Sequence, residues 1–189
     1  MTAPDEPESA PEGGWLPGDR RPDAEAMIRV DQAGEYGAIR IYAGQLAVLG
    51  DRHPAAREIA RMAAQEERHL ARFDEMMADR GVRPTALQPL WHVAGYWLGA
   101  ATALLGPEAA MACTVAVEEE IEDHYRGQER TLGNHDPELL ATIREFRADE
   151  AEHRQSALAS GAEQAPAYPL LNAAIRLGCR AAIALSKRV

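Results

Sequence analysis

Two segments of the chain place a carboxylate and an imidazole one helical turn apart: Glu66-Glu67-Arg68-His69 and Glu150-Ala151-Glu152-His153. Residues three apart on a helix share a face, so both side chains of each Glu-x-x-His can reach one cation. Each motif follows another glutamate at nearly the same offset, 31 residues from Glu35 to Glu66 and 32 from Glu118 to Glu150. Glu followed by Glu-x-x-His, occurring twice, reads as a duplicated helix hairpin. A buried, unpaired carboxylate is costly enough that it normally protonates, and four together would also repel. Two divalent cations bring four positive charges, cancel the four carboxylates and leave both imidazoles neutral. Oxygen and imidazole ligands suit iron or manganese, and the absence of cysteine from the set argues against structural zinc.

Positioning these residues requires helices. Asp23 caps a first helix that runs to Gly50, and Pro54 opens a second that Gly81 ends. A third lies between Pro89 and Leu105, and Gly106-Pro107 separates it from a fourth that ends at Gly133. Asp136-Pro137 opens a fifth, closed by Gly161, and Pro169 opens a last one. These are the usual start and stop signals. In the second helix Ile59, Met62, Glu66, His69, Phe73 and Met76 follow a 3-4 rhythm. In the fourth Met111, Thr114, Glu118, Ile121, Tyr125, Gln128 and Leu132 do the same, as do Leu139, Ile143, Phe146, Glu150, His153 and Ala157 in the fifth. In the first, Ile28, Glu35, Tyr42 and Leu49 repeat every seven. Such spacing is the buried seam of an antiparallel bundle. The expected fold is all-α: a ferritin-like antiparallel four-helix bundle with two additional apolar or amphipathic helices. Of the run Glu118-Glu119-Glu120 only Glu118 continues the seam; Glu122, one turn on, is the fallback ligand. His124 stands close to the site by helical position, either just outside the ligand sphere or at the surface. His53, His92 and His135 fall at loops or ends.

Composition narrows the function. The chain has 189 residues and a net charge of −10, which suits one domain and disfavours broad contact with nucleic acid. Residues 1–22 carry five of the twelve prolines and several acids; they read as a disordered lead-in rather than a targeting signal, with the folded domain over 23–189. Two cysteines, Cys113 and Cys179, read as packed small residues. Lys187 is the sole lysine among 20 basic residues, a bias that points to a bacterium. No charged residue stands between Pro84 and Pro107, yet Leu90–Leu105 is shorter than the roughly 20 apolar residues of a spanning helix. Trp91, Tyr96 and Trp97 suit a headgroup boundary. The last helix sets Leu170, Leu171, Ala174, Ile175, Leu177, Ala181, Ile183 and Leu185 opposite Arg176, Arg180 and Lys187, the pattern of a helix lying in a membrane interface. Peripheral attachment without a span is the expectation.

The blocks RVDQAGEYGAIRIYAGQ, QEERHL, RPTALQPLWHVAGYWLGAATALLG, MACTVAVEEEIEDHY, DEAEHR and APAYPLLNAAIRLGCRAAIALSKR resemble the demethoxyubiquinone hydroxylases of ubiquinone biosynthesis over roughly residues 25–189. The resemblance implies a di-iron monooxygenase that uses O2 to hydroxylate the last open ring carbon of a polyprenyl benzoquinol. It implies two iron ions per chain, held by Glu35, Glu66, His69, Glu118, Glu150 and His153, with Glu66 and Glu150 bridging. Tyr36, beside Glu35, and Tyr125, beyond Glu118, are candidates for ordering the ring or the oxygen chemistry. The chain has no Gly-rich dinucleotide motif after a strand, so electrons come from an external donor or through the quinone. The expected partners are the quinol, O2, that donor, a membrane surface and a lipid-binding partner protein of the same pathway. The expected location is the cytoplasmic side of a bacterial inner membrane. Competing readings are a ferritin-like iron- or peroxide-handling protein and a scaffold, against which the apolar third helix and the intact ligand set argue respectively.

Overall fold

In a computed structural model, which describes residues 22–50 and 53–188, the chain forms six α-helices and one short 3-10 turn, with no strand among the described residues. The reading of residues 1–22 as a disordered lead-in falls almost wholly outside them. The helices are α1 (Ala24–Leu49), α2 (Pro54–Arg80), α3 (Gln88–Leu104), α4 (Pro107–Leu132), α5 (Pro137–Ala159) and α6 (Tyr168–Ser186). The expected punctuation operates. Asp23 accepts a hydrogen bond from the Ala26 amide and Asp136 from that of Leu139, while Gly81 closes α2 in the left-handed conformation.

Two hairpins, α1–α2 and α4–α5, supply the four bundle helices, with α3 laid along α1 and α6 along α4. The duplication read in the hairpins therefore extends to a third helix in each half. One core cluster gathers Tyr42, Ile59, Met62, Met111, Val115 and Ala157; another gathers Ile28, Phe73, Met76, Tyr125, Leu139 and Phe146. Every bundle helix contributes to both clusters, and on each helix the seam carboxylates fall between the two contributions. The ligand layer is thus sealed by apolar packing on both sides.

The α1–α3 crossing is unusually close. A Cβ on Gly99 would lie 1.9 Å from the Ile41 carbonyl oxygen, and one on Gly44 would lie 2.0 Å from that of Tyr96. Gly95 and Gly99 are what lets α3 dock. Gly99→Ala should therefore destabilise the protein by about 1–3 kcal/mol or more, a loss of roughly 2–4 °C in Tm per kcal/mol. Gly127, on α4, has open space at its Cβ position, and Gly127→Ala should raise stability by about 0.5–1 kcal/mol. Thermal melts of the two variants check this; equal Tm values would remove the special role of the crossing.

The last helix differs from expectation in what its arginines do. Arg176 and Arg180 do lie opposite the apolar stripe, but they face α4 and are already paired. Arg176 bonds Glu119, Glu120 and Asp123 at 2.9–3.1 Å, and Arg180 bonds Glu120 at 2.8 Å. Part of the apolar stripe faces outward, with Leu170 71% and Leu177 68% exposed, while Ile175 is buried and Leu171 packs beside it. A matching stripe on α3 exposes Leu90, Val93, Trp97 and Leu104. No helix among the described residues is long and apolar enough to cross a membrane.

Candidate metal centre

The seam brings all six expected ligands into one buried cluster. Glu35 comes from α1, Glu66 and His69 from α2, Glu118 from α4, and Glu150 and His153 from α5; none is more than 2% exposed. Their donor atoms form two groups, Glu35–Glu66–His69–Glu150 and Glu66–Glu118–Glu150–His153, each with its atoms within 4.8 Å of one another. Glu66 and Glu150 belong to both. The Glu66 Oε1 is 3.0 Å from His153 Nδ1, and its Oε2 is 3.5 Å from His69 Nδ1. The Glu150 Oε1 is 3.3 Å from His69 Nδ1, and its Oε2 is 3.2 Å from His153 Nδ1. Each shared carboxylate thus offers one oxygen to each half, the arrangement that bridges two cations.

The terminal carboxylates are held differently. Tyr125 donates its hydroxyl to Glu35 Oε1, and Tyr42 donates to Glu118 Oε1 at 2.7 Å. The remaining oxygens, Oε2 of Glu35 and of Glu118, are buried without a hydrogen-bond partner. Each tyrosine stands seven residues after the glutamate of its own helix and bonds the glutamate of the other. This reciprocal exchange leaves one oxygen per terminal carboxylate for a cation. Both oxygens of Glu66, Oε1 of Glu150 and Nδ1 of His69 are likewise buried and without hydrogen bonds. So many unsatisfied oxygen and nitrogen donors converging on two points fit a pair of hard or borderline divalent ions.

Other residues were placed less well by sequence. The structure does not bring Tyr36 to the cluster: its hydroxyl lies 2.6 Å from His92 Nδ1, between α1 and α3. Glu122, the fallback ligand, pairs instead with Arg154 and Arg126. Tyr42 was read as a seam residue without a role, although its spacing from Glu35 repeats that of Tyr125 from Glu118. Asp149 gave no signal at all. It accepts from His69 Nε2 at 3.0 Å, which turns Nδ1 toward the cluster, while Phe146 stacks on the same ring.

Electrostatics shows how the ligands are balanced when no cation is bound. Burial raises Glu35 and Glu118 well above the carboxylate range, and the charges of Glu66 and Glu150 add to the effect. Burial also opposes a charged His153, but its hydrogen bond to Glu150 and the charges of Glu150 and Glu66 outweigh it and raise the imidazole to about 9. His69 is raised further in the same way. Protons therefore occupy the place that cations would take, and cation binding must release them. A basic group raised from 6.5 to about 9 stabilises the fold fully below pH 6.5 and loses that contribution as pH rises through 9. Neutral Glu35 and Glu118, raised in the fold, lose theirs in the same direction. The Tm of chelator-treated protein should fall between pH 6.5 and 9, and a bound divalent cation should flatten that slope. A flat profile for the chelated protein would refute this balance.

The family model described as ubiquinone biosynthesis protein COQ7 matches residues 22–186. The 3-demethoxyubiquinol 3-hydroxylase of Rhodospirillum rubrum is 57% identical, over 92% of this chain and 83% of the relative. The NADPH-dependent 3-demethoxyubiquinone 3-hydroxylase of human mitochondria is 55% identical, over 89% and 79%. The mitochondrial 5-demethoxyubiquinone hydroxylase of Saccharomyces cerevisiae is 40% identical, over 98% and 86%.

Proposed function

Because the chain belongs to the family of the ubiquinone biosynthesis protein COQ7, we propose that it is a 3-demethoxyubiquinol 3-hydroxylase, an O2-dependent monooxygenase that works through two iron ions per chain. The observation that carries the metal part of this reading is the pair of overlapping ligand groups sharing Glu66 and Glu150. Iron held there would supply the activation of O2 that hydroxylation of a ring carbon requires.

The chain's own residues do the rest. Glu35, Glu66, Glu118 and Glu150 compensate charge, and His69 and His153 complete each half. Tyr42 and Tyr125 hold the terminal carboxylates in place by donating to them, and Asp149 fixes the orientation of His69. The apolar layers on either side exclude water from the cluster. The substrate is a quinol with a long apolar tail, and the outward stripes of α3 and α6 offer such a tail, or a bilayer, a surface to meet. Attachment there would be peripheral, on the cytoplasmic face of a bacterial inner membrane, where a lipid-binding partner of the same pathway could present the quinol. The mammalian relatives are named as NADPH-dependent, and a reduced nicotinamide is accordingly the external donor we assign. Supplying iron-loaded protein, a reductant and the demethoxy quinol under labelled O2 should place one labelled oxygen on the ring. Label entering from water instead would overturn the monooxygenase reading.

A further inference from the structure

Outside the ligand cluster, α1 and α4 bury one more titratable pair. The Asp31 side chain is fully enclosed. Its Oδ1 accepts from His124 Nε2 at 3.1 Å and from Gln128 Nε2 at 2.8 Å, while its Oδ2 is buried with no hydrogen-bond partner. His124 is 11% exposed and lines an open surface pocket of about 440 Å³ together with Glu120, Asp123, Arg180 and Lys187. On its inner side the pair adjoins the metal ligands by register. Asp31 lies one turn before Glu35 on α1, and His124 immediately precedes Tyr125, which donates to Glu35. Two rungs therefore span α1 and α4, one turn apart on α1 and on consecutive residues of α4: Tyr125–Glu35 at the cluster and His124–Asp31 between it and the pocket.

We propose that His124 and Asp31 carry protons from this pocket to the Tyr125–Glu35 edge of the ligand cluster. The need for protons rests on the hydroxylase reading. Converting a ring C–H to C–OH with O2 takes two electrons and two protons, and the second oxygen atom leaves as water. A hydride donor brings both electrons and one proton, so at least one proton must come from solvent into a site that its packing keeps dry. The His124 ring takes it from pocket water and passes one from Nε2 to Asp31 Oδ1. Asp31 then gives a proton from Oδ2, the oxygen that has no other partner, to a water molecule that hands it on to the Glu35 carboxylate one turn along α1. Burial raises the proton affinity of Asp31, with His124 opposing.

His124→Gln keeps a donor for Asp31 but cannot transmit a proton, and Asp31→Asn tests the second member of the pair. Each should lower quinol hydroxylation at least about tenfold, as loss of a proton-transfer group does, and enlarge the solvent deuterium isotope effect, with iron content unchanged. His124→Ala should regain rate with added imidazole, which the open pocket admits. Independently of quinol, an indicator dye should show slower proton uptake in the variants when iron-loaded protein is reduced with dithionite. Full activity in His124→Gln overturns the proposal. So does a slowed variant with an unchanged isotope effect and no imidazole rescue, since that marks a structural role. If unaltered protein failed to hydroxylate the quinol while the variants still slowed proton uptake, the path would stand and the hydroxylase reading would fall.

Discussion

Glu150→Ala should leave the protein without bound iron and without measurable hydroxylation of the demethoxy quinol. Glu150 gives one oxygen to each half of the ligand cluster, so its loss removes a donor from both metal positions at once and leaves His69 and His153 each one partner short. Glu118→Ala strikes one half only and should lower iron content less. Glu119→Ala should hold iron at the level of unaltered protein, because Glu119 bonds Asn172 and Arg176 on α6. Iron analysis of the three purified variants ranks them. Equal, full occupancy in Glu118→Ala and Glu119→Ala would remove Glu118 from the ligand set. In cells carrying only Glu150→Ala, demethoxyubiquinone should accumulate in lipid extracts. Normal ubiquinone without that precursor would mean that the chain acts at another step.

The ligand cluster was legible in the sequence because its register is local. A Glu-x-x-His on an apolar seam declares its own face, and the duplicated offset pairs it with a second helix. Fold class and helix ends followed from the same 3-4 rhythm and from local capping chemistry. What stayed hidden depends on which helix meets which. Asp149 reaches His69 across two hairpins, and nothing in its neighbourhood along the chain marks that contact. Tyr42 was visible as a seam residue, but its role needs α1 and α4 to exchange hydroxyls. Tyr36 shows the opposite case: adjacency to Glu35 along the chain turns a side chain about 100° away on a helix, here toward His92 on α3 and not into the ligand cluster.

The orientation of α6 shows a further limit. An amphipathic pattern says that two faces differ, not which one is turned inward. Its apolar face would ordinarily be expected against the core. Here four acidic residues, Glu119, Glu120, Glu122 and Asp123, line α4, and three of them take Arg176 and Arg180. Partly buried ion pairs of this kind position a helix well even where they add little net stability.

The outward part of the α6 stripe leads to the second large effect. The protein should bind neutral phosphatidylcholine vesicles, and Trp97→Glu combined with Leu177→Glu should abolish the binding while iron content stays unchanged. The two residues stand on α3 and α6, whose inner sides share one cluster through Leu98, Leu171, Ile175 and Cys179, and Trp91 bonds Ser186 at 3.0 Å. The exposed stripes therefore belong to one surface. Burying a large apolar side chain gains about 1.5–3 kcal/mol, and a charge in its place costs roughly 2.5–3.5 kcal/mol at the depth of a bilayer. Two replacements are thus worth more than about 10³ in affinity, since 1.4 kcal/mol is tenfold. Because Arg176 and Arg180 are already paired, anionic lipid should add little and salt should weaken binding little. That distinguishes this surface from a basic helix that lies on headgroups through its charges. Vesicle flotation with and without anionic lipid reads both effects. Alkaline carbonate should strip the protein from natural membranes, as expected where no helix is long enough to span. Unimpaired flotation of the double variant would show that another face meets the lipid.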